Sequence, residues 1–240
     1  MMKSVTLLAI LTLLAVAASA SNFVSLGYSD QTVILDSNPY VCDHIYGVTH
    51  NHDGFESCYG WWYGGVVPPY YGAWGEGYDL GAGTVLCGVF WVSTLPGMYY
   101  GQSTDCYVWE GGVHGPPDAV LGVVTGIVFD HVPLWPTIGL NEVEMNVGVG
   151  HEFTVGLWGN WPNARYGYLI AVDLNGPGGY PWTCVAPGIG YPTGWNDPSI
   201  LWGPTQSTGC GVVFRPTPPQ TVPDGDTAPT WGSIKTLFKE

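Results

Sequence analysis

Aromatic side chains are concentrated in the segment "FESCYGWWYGGVVPPYYGAWGEGY", which runs from position 55 to position 78. Nine of its 24 residues are aromatic and six are glycine. Tryptophan and tyrosine combine a flat apolar face with a polar edge, which suits binding interfaces. A sugar ring can stack on such a face while acidic or amide groups accept hydrogen bonds from its hydroxyls. This chemistry predicts ligand binding at Tyr70, Tyr71, Trp74, Trp62 and Trp161.

The two halves of this aromatic segment have different expected surroundings. In "YGWWYGGV", alternate rings point to opposite faces of a predicted strand, so one set of rings fills a core. The following "PPYYGAW" is predicted to be a loop, which would leave Tyr70, Tyr71 and Trp74 exposed. Loops later in the chain add three further aromatic candidates, Trp158, Trp182 and Trp195.

Metal ligands are suggested at two kinds of position. In "HNHDGFE", His50 and His52 share one strand face, but a metal site needs three or four converging ligands, and solvated histidines explain the pattern equally well. "DLNGPGG" and "PDGD" place oxygen ligands on tight turns, which predicts a structural calcium. Turn-forming Asp and Asn residues are the alternative explanation. No other cofactor is expected. The calcium candidates are Asp173, Asn175, Asp224 and Asp226.

Catalytic motifs are absent from the sequence. It contains no G-x-S-x-G, no Walker loop and no G-x-G-x-x-G between a strand and a helix. Glu142 and Glu144 on one strand face, with Glu152 nearby in sequence, are the candidate carboxylates for glycoside hydrolysis, which needs two carboxyl groups flanking a cleft. Residues i and i+2 meet that spacing on any strand. A non-catalytic protein is therefore expected.

Charge excludes several classes of partner. Between Ser21 and Phe214 the only Lys or Arg is Arg165, against sixteen Asp and Glu residues. Binding to nucleic acid or to anionic membrane surfaces needs clustered Lys and Arg. The sequence therefore predicts no nucleic-acid partner, whereas uncharged ligands and cations remain open. The net charge of −14 also serves to keep an aromatic-rich protein soluble.

Six cysteines follow an apolar N-terminal segment that resembles an export signal. Lys3, a run of apolar residues and Ala18-Ser19-Ala20 are typical of a cleaved signal peptide over residues 1–20, with no membrane insertion afterwards. An even cysteine count in an exported protein predicts disulfides. Pairing of neighbours would give 42–58, 87–106 and 184–210, among fifteen full connectivities. The six are Cys42, Cys58, Cys87, Cys106, Cys184 and Cys210.

Short apolar runs separated by turn residues predict an all-β domain over residues 21–215, built as an antiparallel β-sandwich or a barrel. The clearest alternation is in "EFTVGLW", where Phe153, Val155 and Leu157 point one way. "TVLCGVFWVST" is too apolar to alternate and predicts a central strand covered on both faces. Other predicted strands include 32–35, 45–50, 59–67, 104–109, 119–125, 143–147, 167–172, 199–202 and 211–215.

The last 25 residues differ from the rest of the chain. Residues 216–229 are rich in Pro, Thr and Asp, which predicts an extended linker. Residues 230–240, "TWGSIKTLFKE", have one apolar helical face. Such a short helix needs a partner to be stable. The residues predicted to dock are Trp231, Ile234, Leu237 and Phe238.

Three segments resemble β-sandwich domains of jelly-roll type in secreted bacterial proteins: "CYVWEGGVHGPPDAVL", "VGHEFTVGLWGNWP" and "YLIAVDLNGPGG". The ending "TWGSIKTLFKE" is similar to the C-terminal sorting-type tails of such proteins. The resemblance covers roughly Cys42 to the C-terminus and departs at Pro117-Asp118, where the family has Pro-Gly. It implies an exported, largely uncharacterised family whose tail engages export or sorting machinery, and it supplies no catalytic residues.

Together these features predict a secreted or cell-surface binding module. Its expected ligand is a carbohydrate or a cell-surface protein bound through exposed aromatics. A structural surface protein that self-associates is the alternative, and a glycosidase is a second one.

Overall fold

In a computed structural model, the chain is described over residues 23–25, 33–35, 47–61, 70–81, 83–94, 103–128, 133–134, 137–159 and 169–216. Over these residues it is an all-β protein with two packed sheets, as the sequence predicts. Several predicted features lie outside the described residues: the signal segment, the linker, the C-terminal tail, Cys42, Trp62, Trp161, Asp224 and Asp226.

Fifteen strands and one short helix are present in the described residues. The first strands are β1 (Phe23–Ser25), β2 (Val33–Leu35), β3 (Gly47–His50), β4 (Ser57–Trp61) and β5 (Trp74–Asp79). The middle strands are β6 (Thr84–Thr94), β7 (Ser103–Glu110), β8 (Val120–Val128), β9 (Ile138–Val149) and β10 (Glu152–Trp158). The last elements are β11 (Leu169–Asp173), β12 (Tyr180–Val185), β13 (Gly194–Asn196), α1 (Pro198–Trp202), β14 (Ser207–Thr208) and β15 (Cys210–Pro216).

The strands form a nine-stranded sheet and a six-stranded sheet. The larger sheet runs β1-β4-β11-β6-β15-β3, with β14 beside β11, β9 beside β6, and β2 beside β9. The smaller sheet runs β13-β12-β5-β10-β7-β8. All pairs are antiparallel except the short β2–β9 pair, which is parallel. No helix of the described residues is long and apolar enough to cross a membrane.

The inter-sheet core lies between the inner faces of the two sheets. The larger sheet contributes Leu86, Val89 and Trp91 from β6, and the smaller contributes Val108 of β7 and Phe153 of β10. The predicted alternation of β10 is confirmed, because the rings and branched chains at 153, 155 and 157 are fully buried. Cross-strand packing of these apolar side chains is what holds a sandwich together.

Strand β6 is covered on both faces, as its unbroken apolar sequence predicts. Its inner-face residues belong to the inter-sheet core, whereas Cys87, Phe90 and Val92 belong to a second buried cluster on the opposite face. Only Val85 of this strand is more than slightly exposed. Beside it, Gly211 of β15 faces the Phe90 ring, where a Cβ atom would overlap the ring.

Two predicted elements are wrong. Residues 199–202 were expected to be a strand but lie in α1, because Asp197 caps the helix by accepting a hydrogen bond from the Ser199 N–H and Pro198 occupies its first turn. The "PPYYGAW" loop ends at Ala73, because Trp74 begins β5. The bounds of the other predicted strands agree to within a few residues, except that 143–147 is the middle of the longer β9. Residues 62–67 of the predicted strand 59–67 lie outside the described residues, and its first part lies in β4.

Two of the three predicted cysteine pairs are not formed, and the third, 42–58, includes Cys42, which lies outside the described residues. The five described cysteines, Cys58, Cys87, Cys106, Cys184 and Cys210, are buried, and no disulfide joins any two of them. The pairings 87–106 and 184–210 are wrong in this structure, because each would join residues of different hydrophobic clusters.

Candidate functional site

A group of aromatic rings covers part of the outer face of the six-stranded sheet. On β7, Cys106 and Val108 belong to the inter-sheet core, so Tyr107 and Trp109 point outward. Trp158 of β10 shares this face, because Leu157 beside it points into the core. We call the whole group the aromatic platform: Tyr70, Tyr71, Tyr107, Trp109, Trp158 and Trp195.

Trp109 is the centre of the aromatic platform. It is fully buried, whereas the other five side chains are each partly exposed. The Tyr107 ring stacks on it with centroids 5.2 Å apart and planes at 14°. Trp195 and Tyr70 meet it edge-on at 5.1 Å and 5.6 Å. Stacked and edge-to-face geometries are those that aromatic pairs favour.

The platform is assembled from parts of the sheet that are not neighbours. Three strands, β10, β5 and β12, lie between β7, which carries Trp109, and β13, which carries Trp195. Since neighbouring strands are about 4.8 Å apart, the two rings must reach across the intervening strands. Two of those strands present Gly75 and Gly156 as cross-strand partners on this face. A Cβ atom at Gly156 would overlap the carbonyl group of Trp74, so a larger residue does not fit there without a shift of the backbone.

The loop before β5 is held against the platform. Tyr70 has φ 69°, which makes it the only non-glycine residue with positive φ among the described residues. A turn closes there because the Ala73 N–H donates to the Tyr70 carbonyl at 2.9 Å. The Trp158 indole N–H donates to the Tyr71 carbonyl at 3.2 Å. Backbone strain of this kind is found where the surroundings hold a residue in place.

A carboxylate lies beside the platform. Asp105 of β7 shares the outer face with Tyr107, and its Oδ1 accepts a hydrogen bond from the Gly126 N–H at 2.8 Å. Burial raises the pKa of the Tyr107 hydroxyl, and the nearby Asp105 and Tyr70 raise it further. Flat rings next to a hydrogen-bond acceptor are the combination that a sugar ring and its hydroxyls would contact.

Of the aromatic residues predicted to bind, Tyr70 and Tyr71 lie in the platform and Trp74 does not. The expectation that Trp74 is exposed is wrong, since its side chain is only 2% exposed. It lies in the inter-sheet core with its ring 6.0 Å from Tyr59 and 5.7 Å from Trp202. The cause is the alternation of β5, which turns Trp74 inward and Gly75 outward.

The predicted histidine site is a stacked pair. The rings of His50 and His52 have centroids 4.3 Å apart, and His50 Nδ1 lies 2.9 Å from the carbonyl oxygen of His52. Burial and the neighbouring His50 lower the pKa of His52 to about 3. Asp53 lies next to the pair in sequence, but among the described residues a cluster of three metal-ligating side chains occurs elsewhere.

The predicted calcium ligand Asp173 is buried in a turn. Its Oδ1 accepts hydrogen bonds from the N–H groups of Asn175 and Gly176 at 3.0 and 2.7 Å. Its Oδ2 accepts one from the Asp53 N–H at 2.9 Å. Both oxygens therefore form hydrogen bonds that stabilise the turn, and calcium binding stays a prediction.

The carboxylates considered for glycoside hydrolysis are not brought together. Along β9, Val143 and Met145 face the inter-sheet core, so Glu142 and Glu144 point to the far side of the nine-stranded sheet. Glu152 begins β10 and lies on the outer face of the six-stranded sheet. The two groups are on opposite sides of the sandwich and do not line one cleft.

A buried carboxylate that the sequence did not single out connects several strands. Glu76 of β5 is fully buried. Its oxygens accept hydrogen bonds from the Asn51 amide, from the Tyr180 N–H and from both the N–H and the hydroxyl of Thr208, at 2.7–3.0 Å. Burial raises its pKa to about 7, and these hydrogen bonds oppose that rise. Glu76 therefore links strands through its hydrogen bonds and has a structural role.

Sequence reasoning missed Tyr107 and Trp109 as parts of the site. The signal was present in "CYVWE", where the two rings alternate with the apolar Cys106 and Val108. Large side chains on both faces of a strand indicate that its outer face also packs against other residues. No local sequence pattern predicts the contact between Trp109 and Trp195, because the two residues are 86 positions apart.

The chain matches no family model, no curated protein and no solved structure.

Proposed function

We propose that this protein is a secreted or cell-surface, non-catalytic module that binds carbohydrate through the aromatic platform. The observation that carries the proposal is the group of partly exposed rings packed around the buried Trp109. A flat aromatic face supported by a buried ring keeps its shape when a ligand is absent, which lowers the entropic cost of binding.

Charge and hydrogen-bonding groups support a neutral glycan as the ligand. The chain has a net charge of −14, which disfavours anionic polysaccharides. Asp105 beside Tyr107 offers an acceptor for sugar hydroxyls.

Binding to neutral polysaccharides tests the proposal. Retention on insoluble cellulose, chitin and xylan, and mobility in gels containing soluble glucans, should reveal at least one ligand. Tyr107→Ala and Trp158→Ala should each weaken binding at least about fivefold, since one aromatic contact contributes about 1 kcal/mol. Tyr180→Ala is the matched control, because Tyr180 is 45% exposed but lies outside the platform.

Two results would overturn the proposal. One is that no neutral polysaccharide binds to a protein whose melting transition shows that it is folded. The other is that Tyr180→Ala weakens binding as much as the platform variants, which would mean that exposed rings bind without a defined site. Intrinsic tryptophan fluorescence provides a second titration, and the change that a ligand causes should be smaller in Trp158→Ala than in the wild type.

A second candidate function is self-association through β8. This strand is an edge of the six-stranded sheet as far as the chain is described, and Val120, Leu121 and Val123 are 40%, 37% and 44% exposed. Exposed apolar edge strands are templates for pairing with another chain. Light scattering over a concentration series should show oligomers that Val123→Lys abolishes. A monomer at all concentrations would contradict this candidate.

Export and sorting are proposed from the sequence alone. Residues 1–20 would direct export, and residues 230–240 would engage sorting machinery, in line with the resemblance to secreted jelly-roll proteins. Truncation after Pro229 should abolish surface retention and leave glycan binding intact. Unchanged surface retention would contradict the sorting role.

A further inference from the structure

Two histidines and two carboxylates meet at the end of the outer face away from the aromatic platform. Asp79 ends β5, Glu152 begins β10, His151 lies in the turn between β9 and β10, and His114 lies in the loop after β7. Ligand atoms of Asp79, His151 and Glu152 all lie within 4.8 Å of one another. We propose that these three side chains bind a divalent transition-metal ion of the Zn²⁺ type, with His114 positioning Glu152.

The separations are close to those of a tetrahedral site. Bonds of about 2.1 Å at tetrahedral angles place two ligand atoms roughly 3.4 Å apart. His151 Nδ1 is 3.5 Å from Asp79 Oδ1 and 4.0 Å from Glu152 Oε1. The His151 side chain is 61% exposed, so its ring can adjust by the small distance that remains. The same exposure gives an ion direct access from solvent.

The strand pairing itself favours a cation at this place. Asp79 and Glu152 are direct cross-strand partners. Like charges in that position repel each other and destabilise a sheet unless a positive charge lies between them. Their ion-pair partners in the structure are histidines. The nearest Lys or Arg in the sequence is Arg165, so the composition provides little else to neutralise the pair.

His114 is held where it can orient Glu152. Its Nδ1 lies 2.6 Å from Glu152 Oε1, and its backbone N–H donates to Oε2 at 3.4 Å. The loop that carries it is fixed because the Thr154 hydroxyl donates to the Gly111 carbonyl at 2.8 Å and the Trp182 indole N–H donates to the Gly112 carbonyl at 2.7 Å. Hydrogen bonds of this kind to a ligating carboxylate raise metal affinity.

The mixed donor set selects the class of metal. Calcium and magnesium prefer oxygen ligands alone, whereas an imidazole nitrogen with carboxylates suits zinc, nickel and copper. Three protein ligands leave a fourth position for water. The site is distinct from the stacked pair His50 and His52, and it does not depend on the proposed glycan binding.

Titration calorimetry with ZnCl₂ at pH 7.5 tests the site in the full chain. The wild type should bind one ion at this site. His151→Ala and Asp79→Asn should each weaken binding at least tenfold, and His114→Ala should weaken it by a smaller factor. His50→Ala is the matched control and should leave the affinity unchanged. Excess Ca²⁺ or Mg²⁺ should not compete.

Visible absorption of bound Co²⁺ distinguishes a defined four-coordinate site from adventitious binding. Co²⁺ in a four-coordinate site absorbs visible light much more strongly than octahedral aqueous Co²⁺, so the wild type should gain this absorption and His151→Ala should lose it. Near-ultraviolet circular dichroism confirms that each variant is folded. The proposal is overturned if folded wild-type protein binds no Zn²⁺, or if His151→Ala and Asp79→Asn bind it as tightly as the wild type.

Discussion

The ring of Tyr70 packs edge-on against Trp109, with centroids 5.6 Å apart and planes at 75°, while its backbone has φ 69°. A left-handed backbone costs a non-glycine residue roughly 1 kcal/mol. The Trp109 contact and the turn that ends at Ala73 hold the residue in this conformation. One platform ring is therefore positioned at the expense of local backbone strain.

Substitutions of Tyr70 separate the contribution of its ring to stability from the cost of its backbone strain. Tyr70→Ala and Tyr70→Gly both remove the ring, but only glycine adopts positive φ without strain. We expect the glycine variant to be about 1 kcal/mol more stable than the alanine variant, although the flexibility of glycine in the unfolded chain opposes part of this gain. Guanidinium denaturation measures both. If the alanine variant is as stable as the glycine variant or more stable, the backbone at position 70 is not strained.

The raised pKa of Glu76 predicts that its contribution to the free energy of unfolding decreases as pH rises. Its pKa is raised from 4.5 to about 7 in the folded protein, so between these values the folded state binds a proton that the unfolded state has lost. The group's contribution is full below about pH 4.5 and is lost as pH rises through 7. The loss is roughly 3 kcal/mol, at 1.36 kcal/mol for each pKa unit.

Glu76→Gln provides the measurement, because glutamine cannot ionise. The free energy of unfolding of the wild type minus that of Glu76→Gln should decrease between pH 4.5 and pH 8. Glu110→Gln, which changes an exposed carboxylate on β7, is the control. A difference that stays constant over this range would show that Glu76 does not titrate there.

His52 predicts the opposite dependence in acid. Its pKa is lowered from 6.5 to about 3, so between these values the unfolded state binds a proton that the folded state excludes. Stability contributed by neutral His52 is therefore lost as pH falls from about 6.5 towards 3. The facing charged groups are His50, which disfavours protonation, and Asp173, which favours it.

His52→Phe should keep the ring packing against Phe55 and remove the titration. Wild type should lose stability relative to His52→Phe as pH falls, by roughly 5 kcal/mol at most. Urea unfolding at pH 7, 5.5 and 4 measures the difference. Parallel curves for wild type and His52→Phe would refute this prediction.

Three buried cysteines predict very slow alkylation of the folded protein. Burial raises the pKa of Cys58, Cys106 and Cys210 well above the usual value. The thiolate is the reactive form, so both access and ionisation are suppressed. Iodoacetamide at pH 8 followed by peptide mass spectrometry should modify these positions only after denaturation, with no reductant added. Modification that requires reductant would mean that they are oxidised.

The sequence predicted the strands whose pattern is locally visible. Period-two alternation identified β10, and the unbroken apolar run identified β6, because each pattern follows directly from how many faces of the strand are buried. Strand β5 was missed because its outward positions are Gly75 and Gly77, and glycine also signals loops. The strand does alternate: Trp74 and Tyr78 point into the inter-sheet core, and Gly75 and Gly77 form the outer face.

The candidate site was only partly predictable for a different reason. Tyr70 and Tyr71 could be selected as loop aromatics from local sequence. Trp109 and Trp195 come together only through the strand order of the sheet, which local sequence does not encode. The same holds for Asp79 and His151, which are 72 positions apart and meet because β5 pairs with β10.

Gly77 has a consequence beyond its own strand. The carbonyl of Gly112 lies where a Cβ atom at position 77 would be, so the loop after β7 crosses the sheet directly above a bare backbone. That loop leads from Trp109 at one end to His114 at the other. A single methyl group in Gly77→Ala would lift it, and both the aromatic rings and the histidine–carboxylate group would shift. One mutation at position 77 would therefore alter two chemically unrelated surfaces together.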